Sequence, residues 1–267
     1  MNTIGLIAGN GRFPILFAQT AKKKGYEVIC IAIEGETDKD IAGYVSKIFW
    51  IKLGEFLTLL SICKQEHITK AVMAGQIKKT HIFDNNLNLD KGALSLLRSF
   101  RDNRDTRILS GVIRTLKSQG VEVISSATFL DEFLPRRGVL TKRLPTQQER
   151  SDIAFGLPLA RKIAGFDIGQ TIVVKNRVIV SVEAVEGTDE TIKRASKLAG
   201  AGIVIIKVAR PFQDMRFDIP VIGMNTIATL IETGAKVLAV EAKKTLFIDK
   251  DELIERADKN DISLIAV

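Results

Sequence analysis

Histidine is almost missing from this chain: of 267 residues only His67 and His81 carry an imidazole. That inventory excludes a Cys/His zinc site and a two-histidine metalloprotease motif, and it leaves no Ser-His or Cys-His pair for nucleophilic catalysis. Cysteine is as scarce, with Cys30 in an apolar strand-like run, Cys63 in a helical one, and no spacing that pairs them. Buried, reduced thiols in a cytosolic protein are the expectation. Aromatics make up 6%, with one Trp and two Tyr, which is thin for a base-stacking surface. No uninterrupted apolar run approaches the length of a membrane span, and the start, MNTIGLIAG, lacks the basic residues of a secretion signal. The chain reads as cytosolic, or at most peripheral to a membrane, with no nucleic acid as partner.

What is present is a basic excess, 39 Lys and Arg against 31 Asp and Glu, for a net charge of +8. An anionic partner is expected, and with few aromatics it is sought among phosphates on a small molecule or a lipid headgroup. Without histidine, a metal must rest on carboxylates and waters, which points to Mg²⁺ or Mn²⁺. A composition of 46% hydrophobic and 26% charged residues is that of a globular protein of one large or two ordinary domains.

From the start, Ile4 to Ala8 forms an apolar run, Gly9-Asn10-Gly11 a turn, Pro14 to Lys24 a helical pattern stopped by Gly25, and Glu27 to Ile33 a second strand. This is a βαβ unit. A glycine turn feeding a helix N-terminus offers N–H groups to a phosphate, so Gly9, Asn10 and Gly11 are candidate binding residues, with a plain tight turn as the alternative. The dinucleotide fingerprint is incomplete, because Pro14 stands where a third glycine belongs, although Glu34 or Glu36 lies where a ribose-binding acid would sit. Further strands at Ser46 to Lys52, Thr69 to Ala74 and Val121 to Ile124 alternate with helices, which argues a parallel sheet covered on both faces. Lys78 and Lys79 follow the fourth strand and are either phosphate contacts or solvated lysines. The stretch from Pro135 to Pro145 reads as a link. The expected fold is α/β: a Rossmann-like parallel sheet with helices on both faces over residues 1–134, then a mixed α/β domain over 135–267. In that second half Pro158 should kink or divide a helix from Gln147 to Ala164. Two β-rich runs flanking Asn176-Arg177 signal a hairpin.

The acids Glu183, Glu186, Asp189 and Glu190 surround one strand-to-helix turn, where Thr188 or Asp189 would cap the helix. Capping leaves Glu183 and Glu186 unexplained, and Gly187 permits a ligand to approach the backbone. In KVARPFQDMRFDIP, Lys207 to Pro220, an extended run would put Asp214, Arg216 and Asp218 on one face and Met215 and Phe217 on the other. Lys207, Arg210, Gln213 and Arg216 supply donors beside the two aspartates. Carboxylates for a divalent cation beside cations for phosphate oxygens suit hydrolysis of a phosphoanhydride. The ordinary alternative is a surface ion-pair cluster.

Four runs, GLIAGNGRFP at Gly5 to Pro14, DIGQTIVV at Asp167 to Val174, VEAVEGTDETIKRA at Val182 to Ala195 and PFQDMRFDIPVIG at Pro211 to Gly223, together resemble the LpxI-type UDP-2,3-diacylglucosamine pyrophosphatases of lipid A biosynthesis. The resemblance implies cleavage of that substrate to UMP and 2,3-diacylglucosamine 1-phosphate by water with a divalent cation. It also implies a Rossmann-like domain, a second domain particular to the family, and a homodimer at the cytoplasmic face of the inner membrane. Carried over by position, Asp214 and Asp218 are the principal acids and metal ligands, with Glu186 and Asp189 beside them. Gln170, Gly187 and Thr188 join Lys207, Arg210, Gln213 and Arg216 as substrate contacts. Two departures are Arg210, where a Lys is usual, and Met224, where a proline is frequent. A non-enzymatic nucleotide-sugar sensor built on the Gly9–Gly11 turn is the alternative of a different class. An NAD-dependent oxidoreductase is disfavoured by Pro14.

Overall fold

The computed structural model describes residues 2–77, 88–98, 105–211, 213–217 and 219–267. Lys78, Lys79 and Asp218 lie outside the described residues. The chain forms two compact units, the first running to Leu130 and including Met215–Phe217, the second taking the remainder from Asp131.

In the first unit β1 (Asn2–Ala8), α1 (Phe13–Lys23), β2 (Tyr26–Ile33), β3 (Lys47–Ile51), α2 (Phe56–Gln65), β4 (Lys70–Ala74), α3 (Lys91–Arg98), α4 (Asp105–Ser118) and β5 (Glu122–Val123) follow in order. The strands pair in parallel in the order β3-β2-β1-β4-β5. Strands β1 and β2 are near-continuous apolar runs because a parallel sheet buries both faces. The chain steps outward from β1 to β3 and then returns to β4 beyond β1. Right-handed crossovers therefore set α1 and α2 on opposite faces. One core joins Ile7, Ile29, Ile31 and Ile33 of the sheet to Leu59 and Ile62 of α2 and Ile113 and Leu116 of α4, and Phe217 packs against it. Helix α1 starts with Pro14 in its first turn and ends in Lys22 and Lys23, which complement its dipole.

In the second unit β6 (Gly138–Val139), α5 (Gln147–Gly165), β7 (Thr171–Lys175), β8 (Val178–Val182), α6 (Thr188–Ala199), β9 (Val204–Lys207), β10 (Val221–Ile222), α7 (Met224–Glu232), β11 (Val237–Val240), β12 (Leu246–Phe247), α8 (Lys250–Lys259) and β13 (Ser263–Ala266) follow. The main sheet runs β6-β13-β11-β9-β7-β8. Its centre, β13-β11-β9, is parallel, while β7, β8 and β6 add antiparallel pairings. Side chains alternate between two cores. Val173, Ile205, Leu238 and Val240 meet α6, α7 and α8 on one face, and Ile172, Val174, Ile206 and Ala239 meet α5 on the other. The period of two along each strand makes both faces apolar.

Three expectations are corrected. Pro158 neither divides nor ends α5, which runs unbroken to Gly165. Pro158 and Ala154, whose carbonyl loses its N–H partner, are both exposed, so water can take that carbonyl. The face toward the sheet carries Gly156 instead, where a Cβ would come within 2.3 Å of Ile206. The stretch read as a link is sheet edge, because Gly138 and Val139 pair with Ala266 and Ile265. Finally, residues 215–217 form a turn rather than an extended run. The Met215 carbonyl accepts from the Ser126 N–H at 2.8 Å and the Ser126 hydroxyl at 2.9 Å, so alternation of faces does not apply there.

Candidate functional site

The main sheet of the second unit ends in a cluster of charged and hydroxyl side chains. Lys207 is the last residue of β9, in register with Thr171 on one side and Val240 on the other. In sheets with parallel centres, ligands gather beyond the carboxyl ends of the strands. The loops leading into β7 and out of β8 lie against each other here, since a Cβ on Gly169 would stand 2.0 Å from the Glu183 carbonyl oxygen. Only glycine permits that approach.

Three elements meet at the Thr188 hydroxyl. Lys207 Nζ donates to Thr188 Oγ1 at 2.6 Å, and Thr188 Oγ1 donates to Glu183 Oε1 at 3.0 Å. The Thr171 hydroxyl lies 3.3 Å from that of Thr188, and the Gln170 N–H donates to Glu183 Oε2 at 3.2 Å. Lys207 is only 7% exposed. Burial pushes the Glu183 carboxyl upward, but the Lys207 ammonium, the Thr171 and Thr188 hydroxyls and the Gln170 N–H outweigh it and hold the group below the ordinary carboxylate range. The result is a carboxylate and a buried ammonium fixed around one polarised hydroxyl.

Helix α6 begins at that hydroxyl, and its N-cap is Gly187 rather than Thr188 or Asp189, with φ of 84° and no side-chain capping bond. This corrects the capping expectation. The Thr188 hydroxyl is engaged by Lys207 and Glu183, while Asp189 Oδ1 accepts from the Thr226 hydroxyl at 3.1 Å. Glu186 turns along the helix, accepting from Arg194 at 2.6 Å, from the Thr191 hydroxyl at 3.3 Å and from the Ala184 N–H at 3.1 Å. Although burial raises its carboxyl, its own backbone N–H together with these donors brings Glu186 below its usual value.

Beyond Lys207 the chain leaves the sheet. Arg210 Nε pairs with Asp167 Oδ1 at 2.8 Å, and the Arg210 N–H donates to Gln213 Oε1 at 2.6 Å. Asp214 follows, half-buried. Gln170, Thr188 and Lys207 are thus brought together around Glu183, with Gly187 next to Thr188 in the chain. Sequence reasoning noticed Glu183 as an unexplained acid without assigning it to the site, and it missed Thr171. One signal was available: Lys207 closes the otherwise apolar run Ile203–Ile206, where a charge at a strand's end demands a partner.

Gly9, Asn10, Gly11 and Arg216 belong to the first unit. There the Gly9 N–H donates to Ala74 O at 2.8 Å and the Asn10 N–H to Gln76 O at 2.7 Å, so two amides of the glycine turn serve the backbone. The Asn10 side-chain amide donates to Glu36 Oε2 at 2.7 Å. Gly11, with φ of 85° and open space around it, turns the chain into α1.

Among the described residues no group of three or more His, Cys, Asp or Glu side chains could hold a metal ion. Burial pushes the Cys30 and Cys63 thiols up to about 12 and about 11, which leaves neither nucleophilic at neutral pH. No helix among the described residues is long and apolar enough to cross a membrane.

Against known proteins, residues 3–133 match the family model for the LpxI N-terminal domain and residues 136–265 that for the LpxI C-terminal domain. A relative from Caulobacter vibrioides, named UDP-2,3-diacylglucosamine pyrophosphatase LpxI, is 28% identical over 279 residues covering 100% of this chain and 98% of its own. Likeness to solved structures is slight. A UDP-glucose-4-epimerase from Stenotrophomonas maltophila has a TM-score of 0.31 at 9% identity, over 45% of this chain and 35% of that one. A biotin carboxylase from Campylobacter jejuni has a TM-score of 0.28 at 14% identity, over 73% and 42%. Neither score carries an argument about fold or chemistry. Two consecutive family models across nearly all of the chain and a full-length relative do: the chain belongs to the LpxI family.

Proposed function

We propose that this protein hydrolyses the pyrophosphate bond of UDP-2,3-diacylglucosamine, releasing UMP and 2,3-diacylglucosamine 1-phosphate. The observation that carries the reading is the full-length similarity to a relative of that name. The Glu183–Thr188–Lys207 cluster supports it with a preorganised cation and a helix N-terminus aimed at one spot. In the reaction water adds to one phosphorus, the bridging P–O bond breaks, and a base takes the water proton. Lys207, Arg210 and the first N–H groups of α6 stabilise charge growing on the phosphate oxygens. Thr188 and Gln213 orient those oxygens, Gln170 and Gly187 shape their approach, and Glu183 holds Lys207 and Thr188 in place. Asp214, Asp218, Glu186 and Asp189 are the acids proposed to handle water and metal, and Arg216 is a further phosphate contact. Since Gly9 and Asn10 close their own turn, nucleotide contact in the first unit falls to Gly11 and the start of α1.

A divalent cation, Mg²⁺ or Mn²⁺, is part of this proposal. Two aspartates with phosphate oxygens and waters form a donor set that suits Mg²⁺ arriving with a diphosphate better than a resident cage. Asp214 and Asp218 would hold it, and it would neutralise phosphate charge. The protein is further proposed to act as a homodimer in the cytoplasm, peripheral to the inner membrane, where a net charge of +8 favours an anionic leaflet.

The test is release of UMP from purified protein and UDP-2,3-diacylglucosamine, with and without Mg²⁺, in ¹⁸O-labelled water to show which phosphorus is attacked. UMP is expected, with D214A and D218A folded but at least about 100-fold slower. Absence of UMP under every metal condition would end the hydrolase reading. Full rates in both variants would end the site assignment alone.

A further inference from the structure

Glu241 follows β11 directly, at the end of the central strands where Lys207 closes β9, and its side chain is 5% exposed. A carboxylate so buried needs partners for both oxygens. Arg161 of α5 donates through Nε to Glu241 Oε1 at 2.8 Å, and its Nη2 lies 2.8 Å from the same oxygen. The other oxygen accepts the Ala209 N–H at 2.9 Å, and Lys244 Nζ stands 3.8 Å from Oε1.

The Ala209 bond has a particular consequence. Strand β9 pairs with β11 only as far as Lys207, after which the β11 chain turns to β13, the Ala242 N–H bonding Val267 O at 3.0 Å. The Ala209 amide is thereby left without a strand partner, and the Glu241 carboxylate supplies one. Val208 is held on the other side through its N–H to Gln170 O at 2.9 Å, and Arg210 by Asp167 and Gln213. The run from Val208 to Arg210 is therefore pinned where it leaves the sheet, Val208 by a backbone carbonyl and Ala209 and Arg210 by side chains.

We propose that Glu241, oriented by Arg161, is a positioning residue that sets the departure of the 207–211 segment and so the placement of Arg210. Both its oxygens are filled, so it acts through Ala209 rather than on substrate. The kinetic half of this inference rests on the hydrolase reading. The backbone half does not.

The experiment combines hydrogen exchange on peptides spanning 205–214 with steady-state kinetics of UMP release, using E241A, E241Q and R161A. E241A is expected to speed exchange of that peptide about tenfold or more, the loss of one charge-assisted bond, while peptides from β7, β11 and β13 keep wild-type protection. Its kcat is expected to fall about 100-fold from misplacement of catalytic groups, with KM within about threefold. E241Q keeps an acceptor for the Ala209 N–H and restores most of both quantities, and R161A falls between wild type and E241A. Unchanged exchange and kcat in E241A would overturn the proposal. So would loosening of the whole sheet together with the segment, since that is support of the fold rather than positioning. Should E241A fail to fold, R161A, altered at a half-exposed side chain, decides: an unmoved 205–214 peptide in that variant overturns the proposal. If wild type releases no UMP, the exchange results stand by themselves and only the hydrolase reading is lost.

Discussion

In each unit a strand leads into a glycine turn that feeds a helix, yet the two sheet ends are built differently. In the first, glycine is required because backbone meets backbone. A Cβ on Gly9 would stand 2.5 Å from the Gln76 carbonyl oxygen, and one on Gly75 would stand 2.6 Å from that of Asn10. The gap between β1 and β4, the reversal point where open sheets tend to bind ligands, is bridged there by Asn10 and Gln76. In the second, Gly187 has open space and a φ of 84°, and the first hydroxyl of the helix it starts is met by an ammonium, a carboxylate and a second hydroxyl. The difference teaches that a glycine before a helix is not by itself a phosphate signal. What surrounds the helix start decides, and that measure favours the second unit as the place of the proposed chemistry.

The sharpest way to break this contrast is Lys207→Met. It keeps the apolar stem in β9 and leaves Glu183 and Thr188 without their cation. Removing one partner of a buried pair costs about 3 kcal/mol, and UMP release should be nearly lost. Adding Glu183→Gln removes the stranded charge, so K207M/E183Q should regain stability in urea unfolding without regaining turnover. If K207M unfolds like wild type, the second sheet end is no more specialised than the first.

A pair of alanine substitutions then separates steric from conformational glycine. Gly9→Ala forces a methyl onto the Gln76 backbone, which has no flexible end to yield, and should destabilise the first unit by about 2 kcal/mol. Gly187→Ala meets nothing within 4 Å but must hold a positive φ, at about 1 kcal/mol. Thermal melts give the order. The reverse order would mean that the first turn relaxes freely, and the contrast would fail at the backbone.

Much of this architecture was legible because its causes are local. The first βαβ unit follows from an apolar run, a turn and a helix period. The β7–β8 hairpin follows from two residues between β-rich runs, and Asn176 and Arg177 adopt φ of 52° and 59° as a two-residue turn of that hand requires. Asp152 of α5 accepts both of their N–H groups, at 3.0 and 2.6 Å, a support that no local pattern signals. What stayed hidden depends on partners distant in the chain. Gly138 and Val139 become a strand only through β13, and Pro158 is harmless only because its helix turns that face to water. Residues 215–217 turn because Ser126 captures the Met215 carbonyl. Glu183 follows the same rule: its place appears once Lys207 of β9, through Thr188, and Gln170 of the loop before β7 come together around it.

The smallest effect expected is a pH dependence that belongs to Glu183. Its folded-state carboxyl sits below the ordinary glutamate value of 4.5, with burial opposing and Lys207 leading the groups that lower it. A depressed folded value means that the unfolded chain takes up the proton first as pH falls. The stabilisation is therefore complete above about 4.5 and is lost as pH drops through the lower folded value. Glu149 behaves alike for its own reason: burial opposes, but bonds from Arg143, at 2.7 Å, and from Thr146 prevail. Wild type and E183Q compared in urea at steps from pH 7 to 3 should differ most at neutrality and converge in acid. E149Q should show a second convergence that adds to the first, because the two networks share no residue. A gap between wild type and E183Q that stays constant across the series would mean that the Glu183 carboxylate gains nothing from Lys207. The second sheet end would then owe its stability, like the first, to backbone alone.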